Sequence, residues 1–433
     1  MQFYTIEDFK DKLQNQKVFV RVDTNTTLEN GEMPLTSRIE QALETINKLT
    51  SYGAAVVVGA HNGRSGETSF VSLGPLFSLL QKQNPSLPKM LCPGNTYDET
   101  YEGLNGEAKN TIKNLQSGEI LILENLRFLK NETAKMSVEE FAQQKFVLDL
   151  LESGVSHYVL DGFSVAHRAH MSIVGFPNIP NIAGLAVEKE LLGAAKIKEL
   201  LAQNQTGNGR VTFIFGGAKI QDYFQLMESA LENKSVSKIL PGGLFSSICL
   251  MIKGYDLGQP SRTPLQKKDS KGKSTLDYQE TLQKLMEKHS DVFVIPEDVA
   301  YLIDGKRVEY AIDEIPQEAR EKGAVLDIGE KTILKYKQVL QESNMAYWKG
   351  PIGAFDINPL FAKGSQEVLQ LLKENKQIFS VMGGGDTGQM LSKFDTLPSE
   401  LSYVSLSGGA LIQILAGNDL PGISALEKSY TTS

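Results

Sequence analysis

Residues 211–223, VTFIFGGAKIQDY, run an apolar β-branched stretch into two glycines and a lysine. That order suits phosphate binding. Gly216 and Gly217 let the backbone approach a ligand without interference from a Cβ, amides exposed at the start of a helix favour an anion, and Lys219 adds a full positive charge. Tyr223 falls four residues after Lys219, one helical turn on, where a second cation would help to hold the same phosphates.

A second group of chemically loaded residues is scattered through the first half. RVDTNTT presents Arg21, Asp23 and Asn25 on one side of an extended chain, and Arg38 opens a helix after a polar turn. GAHNGRSG carries His61 and Arg64, LENLRF carries Arg127, and LDGFSVAHRAHMS sets His167, Arg168 and His170 just past Asp161. Taken singly, each Arg reads as a surface ion-pair former and each His as a structural residue. Together they predict a site for a small polyanion, because arginine forks match carboxylate and phosphate oxygens. A metal held by His61 and His170 is the weaker reading, since no carboxylate or cysteine completes a ligand set.

The second half adds glycine-rich turns. LPGGLFSS supplies Gly242 and Gly243, and YWKGPIGAFD brings Trp348, Lys349, Gly350, Pro351, Gly353 and Asp356 into one segment. VMGGGDTGQ places Gly383, Gly384, Gly385, Asp386 and Thr387 before a helix, and SLSGGALIQ places Gly408 and Gly409 at the start of another. A glycine run ending in Asp-Thr suits phosphate amides beside a Mg²⁺-binding carboxylate. Four such turns at strand ends predict a nucleotide pocket.

These residues need strands to present them. Short apolar runs at Val18–Val22, Ala54–Ala60, Ile120–Glu124, His157–Leu160, Val211–Phe215, Val292–Ile295 and Phe379–Met382 alternate with helical patterns at Arg38–Thr50, Leu73–Gln83, Ser137–Ser153, Gln221–Leu231 and Thr332–Glu342. The alternation predicts an α/β protein with parallel sheets covered on both faces and ligands at the carboxyl ends of the strands. Val187–Gln203 reads as a helix followed by the loop NQTGNGR, which marks a domain boundary and a cleft between two lobes. The basic stretch 258–275 reads as a solvated loop, because Lys267 stands where a phosphate-loop glycine would be required.

Composition narrows the field. A chain of 433 residues, 41% apolar and 22% charged, is long enough for two domains and ordinary for a folded protein. A net charge of -8 argues against nonspecific attraction to nucleic acid or anionic membranes, so any anion site must be a concentrated one. The N-terminal residues have no apolar signal core, no stretch reaches the roughly 18 apolar residues of a span, and a cytoplasmic location is expected. Cys92 and Cys249 are expected to be buried, reduced thiols.

The ordered series RVDTN, GAHNGR, LENLRF, AHRAH, GGAK, WKGPIGAF, GGGDT and LPGISAL resembles the phosphoglycerate kinases over essentially the whole chain. The resemblance implies two Rossmann-like three-layer lobes with parallel sheets, joined by a helix and bending at a hinge. It implies a phosphoglycerate-binding domain over 1–186, an interdomain helix over 187–204, a nucleotide-binding domain over 205–410, and a segment 411–433 returning to the first domain. The reaction it implies is phosphoryl transfer between MgATP and the carboxylate of 3-phosphoglycerate, by a monomer. Carried over residue by residue, Asp23, Asn25, Arg38, His61, Arg64, Arg127 and Arg168 would bind phosphoglycerate. Gly217, Lys219, Gly242, Pro351, Gly353, Asp356, Gly384, Gly385, Asp386 and Thr387 would serve ATP or ADP, with Mg²⁺ on Asp386. Arg38, Lys219, Gly385 and Gly408 would act on the transferring phosphoryl group.

The chain departs from the family pattern mainly on the nucleotide side. Tyr223 stands where the family has a second lysine, Lys349 where an asparagine is usual, Pro241 in place of a glycine, and Leu406 and Ser407 in place of Thr-Gly. Leu160 replaces an asparagine, and SVAHRAH replaces GTAHRAH. Two readings of Lys349 stand open: part replacement of the lost cation, or drift at a solvent-exposed edge. A paralogue with a related carboxylate acceptor and a weakly catalytic phosphoglycerate-binding protein are the alternatives to the kinase itself.

Overall fold

The computed structural model describes residues 2–83, 90–91, 95–269, 272–405 and 407–432. Cys92, Leu406 and residues 270–271 of the basic stretch lie outside the described residues. Contacts divide the chain into two compact units, Met1–Leu192 with Asn418–Ser433, and Gly193–Gly417.

The first unit is built on seven strands: β1 (Tyr4–Thr5), β2 (Lys17–Val22), β3 (Ala55–Gly59), β4 (Met90–Leu91), β5 (Ile120–Ile122), β6 (Val155–Asp161) and β7 (Asn181–Ala183). They lie in the order β1-β7-β6-β2-β3-β5-β4, and every neighbouring pair is parallel. Both faces are covered, which is why β3 reads AVVVG without polar alternation and is buried throughout. The helix Ser37–Ser51 buries Ile39, Ala42, Leu43, Ile46 and Leu49, one stripe at helical spacing, against Val18, Val20, Val56 and Val58 of the sheet. The expected helix Ser137–Ser153 is two helices, Val138–Ala142 and Lys145–Glu152, because Gln144 is extended between them. The final helix, Pro421–Thr432, joins this unit: Ser429 Oγ accepts the amide of Asn181 at 3.0 Å.

The second unit holds β8 (Val211–Phe215), β9 (Lys238–Pro241), β10 (Asp298–Ile303), β11 (Lys306–Ala311), β12 (Ala324–Ile328), β13 (Met345–Lys349), β14 (Phe379–Gly383) and β15 (Tyr403–Ser405). Five form a parallel sheet in the order β15-β14-β13-β8-β9, and β11-β10-β12 form an antiparallel sheet that apolar runs alone did not predict. Val292–Ile295, expected as a strand, makes one bridge, Phe293 to Ile239, beside β9. Pro241 ends β9 at the edge of the five-stranded sheet, where a missing amide costs least. Its carbonyl accepts the Tyr336 hydroxyl at 2.7 Å.

The basic stretch is more ordered than a solvated loop. Its described residues include the short helices Gln259–Arg262 and Thr263–Gln266, Leu265 is fully buried, and Ser261 Oγ accepts the Val325 amide at 3.0 Å. Cys249 is a free, buried thiol whose pKa burial pushes up. The helix Leu185–Gln205 runs through the division between the units. Among the described residues no helix is long and apolar enough to cross a membrane.

Candidate functional site

The first unit gathers its charged residues at the carboxyl ends of β2, β3, β5 and β6. Arg21, the penultimate residue of β2, is 1% exposed and therefore cannot stay without partners. Its Nε donates to Ser172 Oγ at 3.0 Å, one terminal nitrogen donates to the Val22 carbonyl, and the other lies 3.0 Å from His61 Nδ1. Ser172 Oγ in turn donates to Glu132 at 2.6 Å, and the Ser172 amide reaches the other oxygen of the same carboxylate at 3.0 Å. This buried chain fixes the imidazole of His61.

Around it the loops lock one another. Asn25 Oδ1 accepts the Gly63 amide at 2.8 Å, Asn62 Oδ1 accepts the Thr26 amide at 2.9 Å, and Asn125 Nδ2 donates to the Asn62 carbonyl at 2.8 Å. Gly63 has φ +65°, and a Cβ there would meet the Ser69 carbonyl carbon at 2.3 Å, so only glycine fits this turn. Its carbonyl accepts from Arg127. Arg38, in the first turn of Ser37–Ser51, pairs with Asp23 at 3.2 Å, and Asp23 also accepts from Ser164. Arg168 Nε lies 3.2 Å from His167 Nε2, and Arg64 is exposed on its loop.

Positive charge dominates this basin. Burial and the neighbouring Arg168, Arg21 and Arg64 pull the guanidinium of Arg127 down to about 10. Burial and the neighbouring Arg21, Arg127 and Arg168 hold His61 far below the ordinary histidine range and His170 at about 3, so both rings are neutral at pH 7. Glu132 is the buried counter-charge, and burial pushes its pKa up. The Nδ2 of Asn62 is buried with no partner among the described residues, which leaves a donor unspent. The six residues Asp23, Asn25, Arg38, His61, Arg127 and Arg168 thus lie on interlocked loops of one sheet edge. Of the residues that hold them, Glu132 carries no motif signal, while Asn62, Asn125 and Ser172 stand inside GAHNGRSG, LENLRF and LDGFSVAHRAHMS with nothing there to mark their supporting role. Arg21 stood inside RVDTN, but its burial was not legible there.

In the second unit the glycine-rich turns serve a different purpose from the one expected. The Gly216 amide donates to the Lys349 carbonyl at 2.9 Å, Gly217 to Pro351 at 2.7 Å, Gly242 to Phe215 at 2.7 Å and Gly243 to Ile352 at 2.7 Å. These amides are spent on backbone and are not offered to an anion. A Cβ on Gly216 would sit 2.2 Å from the Pro351 carbonyl oxygen, and one on Gly243 2.5 Å from the Gly217 nitrogen. The glycines let three turns pack backbone to backbone at the end of the sheet. Gly353 likewise is buried, where a Cβ would lie 2.1 Å from the Phe361 carbonyl oxygen.

Tyr223 corrects a second expectation. The helix begins at Phe224 rather than Gln221, a single 3-10 turn over Ile220–Asp222 precedes it, and Tyr223 has φ -128°. Its side chain does not lie one turn along from Lys219 among phosphates. It is 1% exposed, stacked on Phe215 with centroids 4.3 Å apart and planes 3° apart, and edge-on to Phe245 at 5.8 Å. Its hydroxyl is buried with no partner among the described residues.

Beside this packed base, Lys219 and Asp356 are exposed on their turns. Gly384, with φ +108°, caps the helix Gly385–Lys393, and a Cβ on Gly408 would lie 2.5 Å from the Gly384 nitrogen. The turns after β14 and β15 therefore touch. Thr387 is buried and its hydroxyl donates to the Gly383 carbonyl at 3.0 Å, one turn back in the chain. Asp386 sits in the first turn of the helix, and its side chain, like that of Leu406, lies outside the described residues. Lys349 ends β13 and is only 13% exposed in its side chain, which removes the reading of drift at a solvent-exposed edge. Among the described residues no three His, Cys, Asp or Glu side chains gather as a metal site.

Comparison with known proteins agrees with this architecture. The family described as phosphoglycerate kinase matches residues 6–418. A phosphoglycerate kinase of Methanopyrus kandleri is 32% identical over 98% of this chain and 97% of its own, and one of Haloarcula marismortui is 31% identical over 99% and 100%. The crystal structure of phosphoglycerate kinase from Pyrococcus horikoshii superposes with a TM-score of 0.81 at 29% identity, covering 99% of this chain and 100% of that one. The enzyme structure from Coxiella burnetii gives 0.74 at 26% identity, over 98% and 99%. With a parallel α/β fold in each unit and these matches spanning its length, the chain belongs to the phosphoglycerate kinase family.

Proposed function

We propose that the protein catalyses reversible phosphoryl transfer between MgATP and the carboxylate of 3-phosphoglycerate, giving 1,3-bisphosphoglycerate. The observation that carries this reading is the basin of the first unit, where Arg127 is forced down to about 10 by burial and by Arg168, Arg21 and Arg64. Such crowding of like charges is sustained for a ligand that brings several negative charges at once.

In this reading Arg64, Arg127 and Arg168 bind the phosphate end of the acceptor. Neutral His61, oriented by Arg21, contributes hydrogen bonding without adding charge. Asp23 and Asn25 shape the loop, and Arg38, which Asp23 pairs at 3.2 Å, faces the carboxylate end. The acceptor carboxylate, with an ordinary pKa of about 4, is ionised at neutral pH and needs no general base. Alignment and charge neutralisation remain, and these fall to Arg38, Lys219 and the backbone of the turns at Gly384, Gly385 and Gly408. Gly217, Gly242, Pro351 and Gly353 form the floor of the nucleotide site, while Asp356 and Thr387 border it. Mg²⁺, when bound through Asp386 and the phosphates, supplies further neutralisation of the migrating group. Hinge bending would join the two ligands and keep water from the phosphoryl group. We take the protein to act as a cytoplasmic monomer.

Trapping with hydroxylamine tests the reaction, because an acyl phosphate is converted to a hydroxamate. Hydroxamate formation requiring ATP, Mg²⁺ and 3-phosphoglycerate together is expected. Its absence, with 3-phosphoglycerate still binding, would leave a ligand-binding relative instead.

A further inference from the structure

Tyr223 stands where the family resemblance implies a second lysine, and its side chain points inward. Tyr223 lies flat on Phe215 and meets the edge of Phe245, so no small rotation returns a polar group from this position to the ligand side. A second cation beside Lys219 has to come from another part of the fold.

Lys349 is placed to be that cation. It is the last residue of β13, which lies between β8 and β14 in the parallel sheet, and it is in register with Phe215 of β8. Its backbone carbonyl receives the Gly216 amide, which ties it to the turn that carries Lys219. Its ammonium lies 3.8 Å from Asp222, beside Tyr223, and 2.7 Å from where a Cβ on Gly384 would begin. Gly384 caps the helix Gly385–Lys393, whose first amides carry partial positive charge. One side chain thus reaches from the turn after β8 to the turn after β14. The glycine at 384 is what makes room for it.

We propose that Lys349 is a phosphate-binding residue of the nucleotide site, taking over the charge that Tyr223 cannot supply, and that Asp222 holds its ammonium in place until the phosphates arrive. This rests on the nucleotide reading given above. The ligand chemistry is that of a nucleoside di- or triphosphate, and recognition falls on the phosphates rather than on the base. A charge-assisted contact of this kind is worth roughly ten- to hundredfold in affinity.

Calorimetric titration of adenosine, AMP, ADP and ATP into wild-type protein, Lys349→Gln, Lys349→Arg and Asp222→Asn tests it. Lys349→Gln should lose about ten- to hundredfold in ADP and ATP affinity while adenosine binds as before. Lys349→Arg, which keeps the charge and guards against a folding failure in the first variant, should retain most of the affinity for ADP. Asp222→Asn should tighten ADP, because a competing carboxylate is removed, and that gain should vanish when combined with Lys349→Gln. Equal loss for adenosine and ADP, or unchanged ADP binding in Lys349→Gln, would overturn the assignment. Wild-type protein that binds none of the four would instead overturn the nucleotide reading on which it stands.

Discussion

The anion basin of the first unit and the glycine turns of the second both stand at the carboxyl end of a parallel sheet, but they are built from different parts. The basin uses side chains: five arginines, three histidines and a buried Glu132–Ser172–Arg21–His61 chain that fixes them. The second unit uses backbone, with Gly216, Gly217, Gly242 and Gly243 packed so closely that no Cβ fits at Gly216 or Gly243, and cations added sparingly by Lys219 and Lys349. The difference teaches where each half tolerates change. A side-chain site fails when one charge loses its buried partner, and a backbone site fails when one atom is added.

The largest effect expected is at Arg21. Arg21→Met leaves Glu132 buried without its compensating charge, and removing one partner from a buried charged network costs about 3–5 kcal/mol. Urea unfolding should show that loss together with weaker 3-phosphoglycerate binding, and a variant as stable as the wild type would break the picture of a charge-organised basin. The matching change in the second unit is Gly243→Ala, which adds a Cβ 2.5 Å from the Gly217 nitrogen at φ +52°. Overpacking of this kind costs roughly 1–3 kcal/mol, and ADP binding should be lost while 3-phosphoglycerate still titrates. Loss of both ligands alike would blur the contrast between the halves.

The smallest effect concerns pH. Asp161 ends β6, is buried, and has one oxygen without a partner among the described residues, while the other accepts the Ala186 amide at 2.9 Å. Burial raises its pKa from 3.8 to about 8. Between those values the folded protein keeps a proton that the unfolded chain has released, so Asp161 lowers stability as pH rises from about 4 to 8. Asp161→Asn cannot titrate, and its melting temperature should depend less steeply on pH across that window. Parallel curves for the two proteins would show that the carboxyl group ionises freely in the fold.

The two halves also differed in how much of them was legible in sequence. Strand ends such as RVDTN and GAHNGR announced their arginines and histidines directly, since a charged residue beside a buried β-branched run has few structural uses. The supports did not announce themselves, because Glu132 and Ser172 meet Arg21 only through long-range folding. In the second unit, glycine composition marked close approach correctly but not its partner: the amides of Gly216 and Gly217 face the backbone of residues 349 and 351 rather than a ligand. Periodicity placed Tyr223 on a helix beside Lys219, whereas a 3-10 turn and the flat face of Phe215 draw it into the core. The parallel sheets followed from continuous apolar runs. The antiparallel β10–β12 sheet, with partly exposed strands such as KRVEYA, lacked that signature.

The proposed transfer draws on residues of both units, with Tyr223 retired to the core. The most direct test is the steady-state rate of ADP release by the wild-type protein from MgATP, measured with and without 3-phosphoglycerate. The account predicts rapid release that depends on 3-phosphoglycerate and little hydrolysis without it. Release that is absent in both cases, or unaffected by the acceptor, would contradict it.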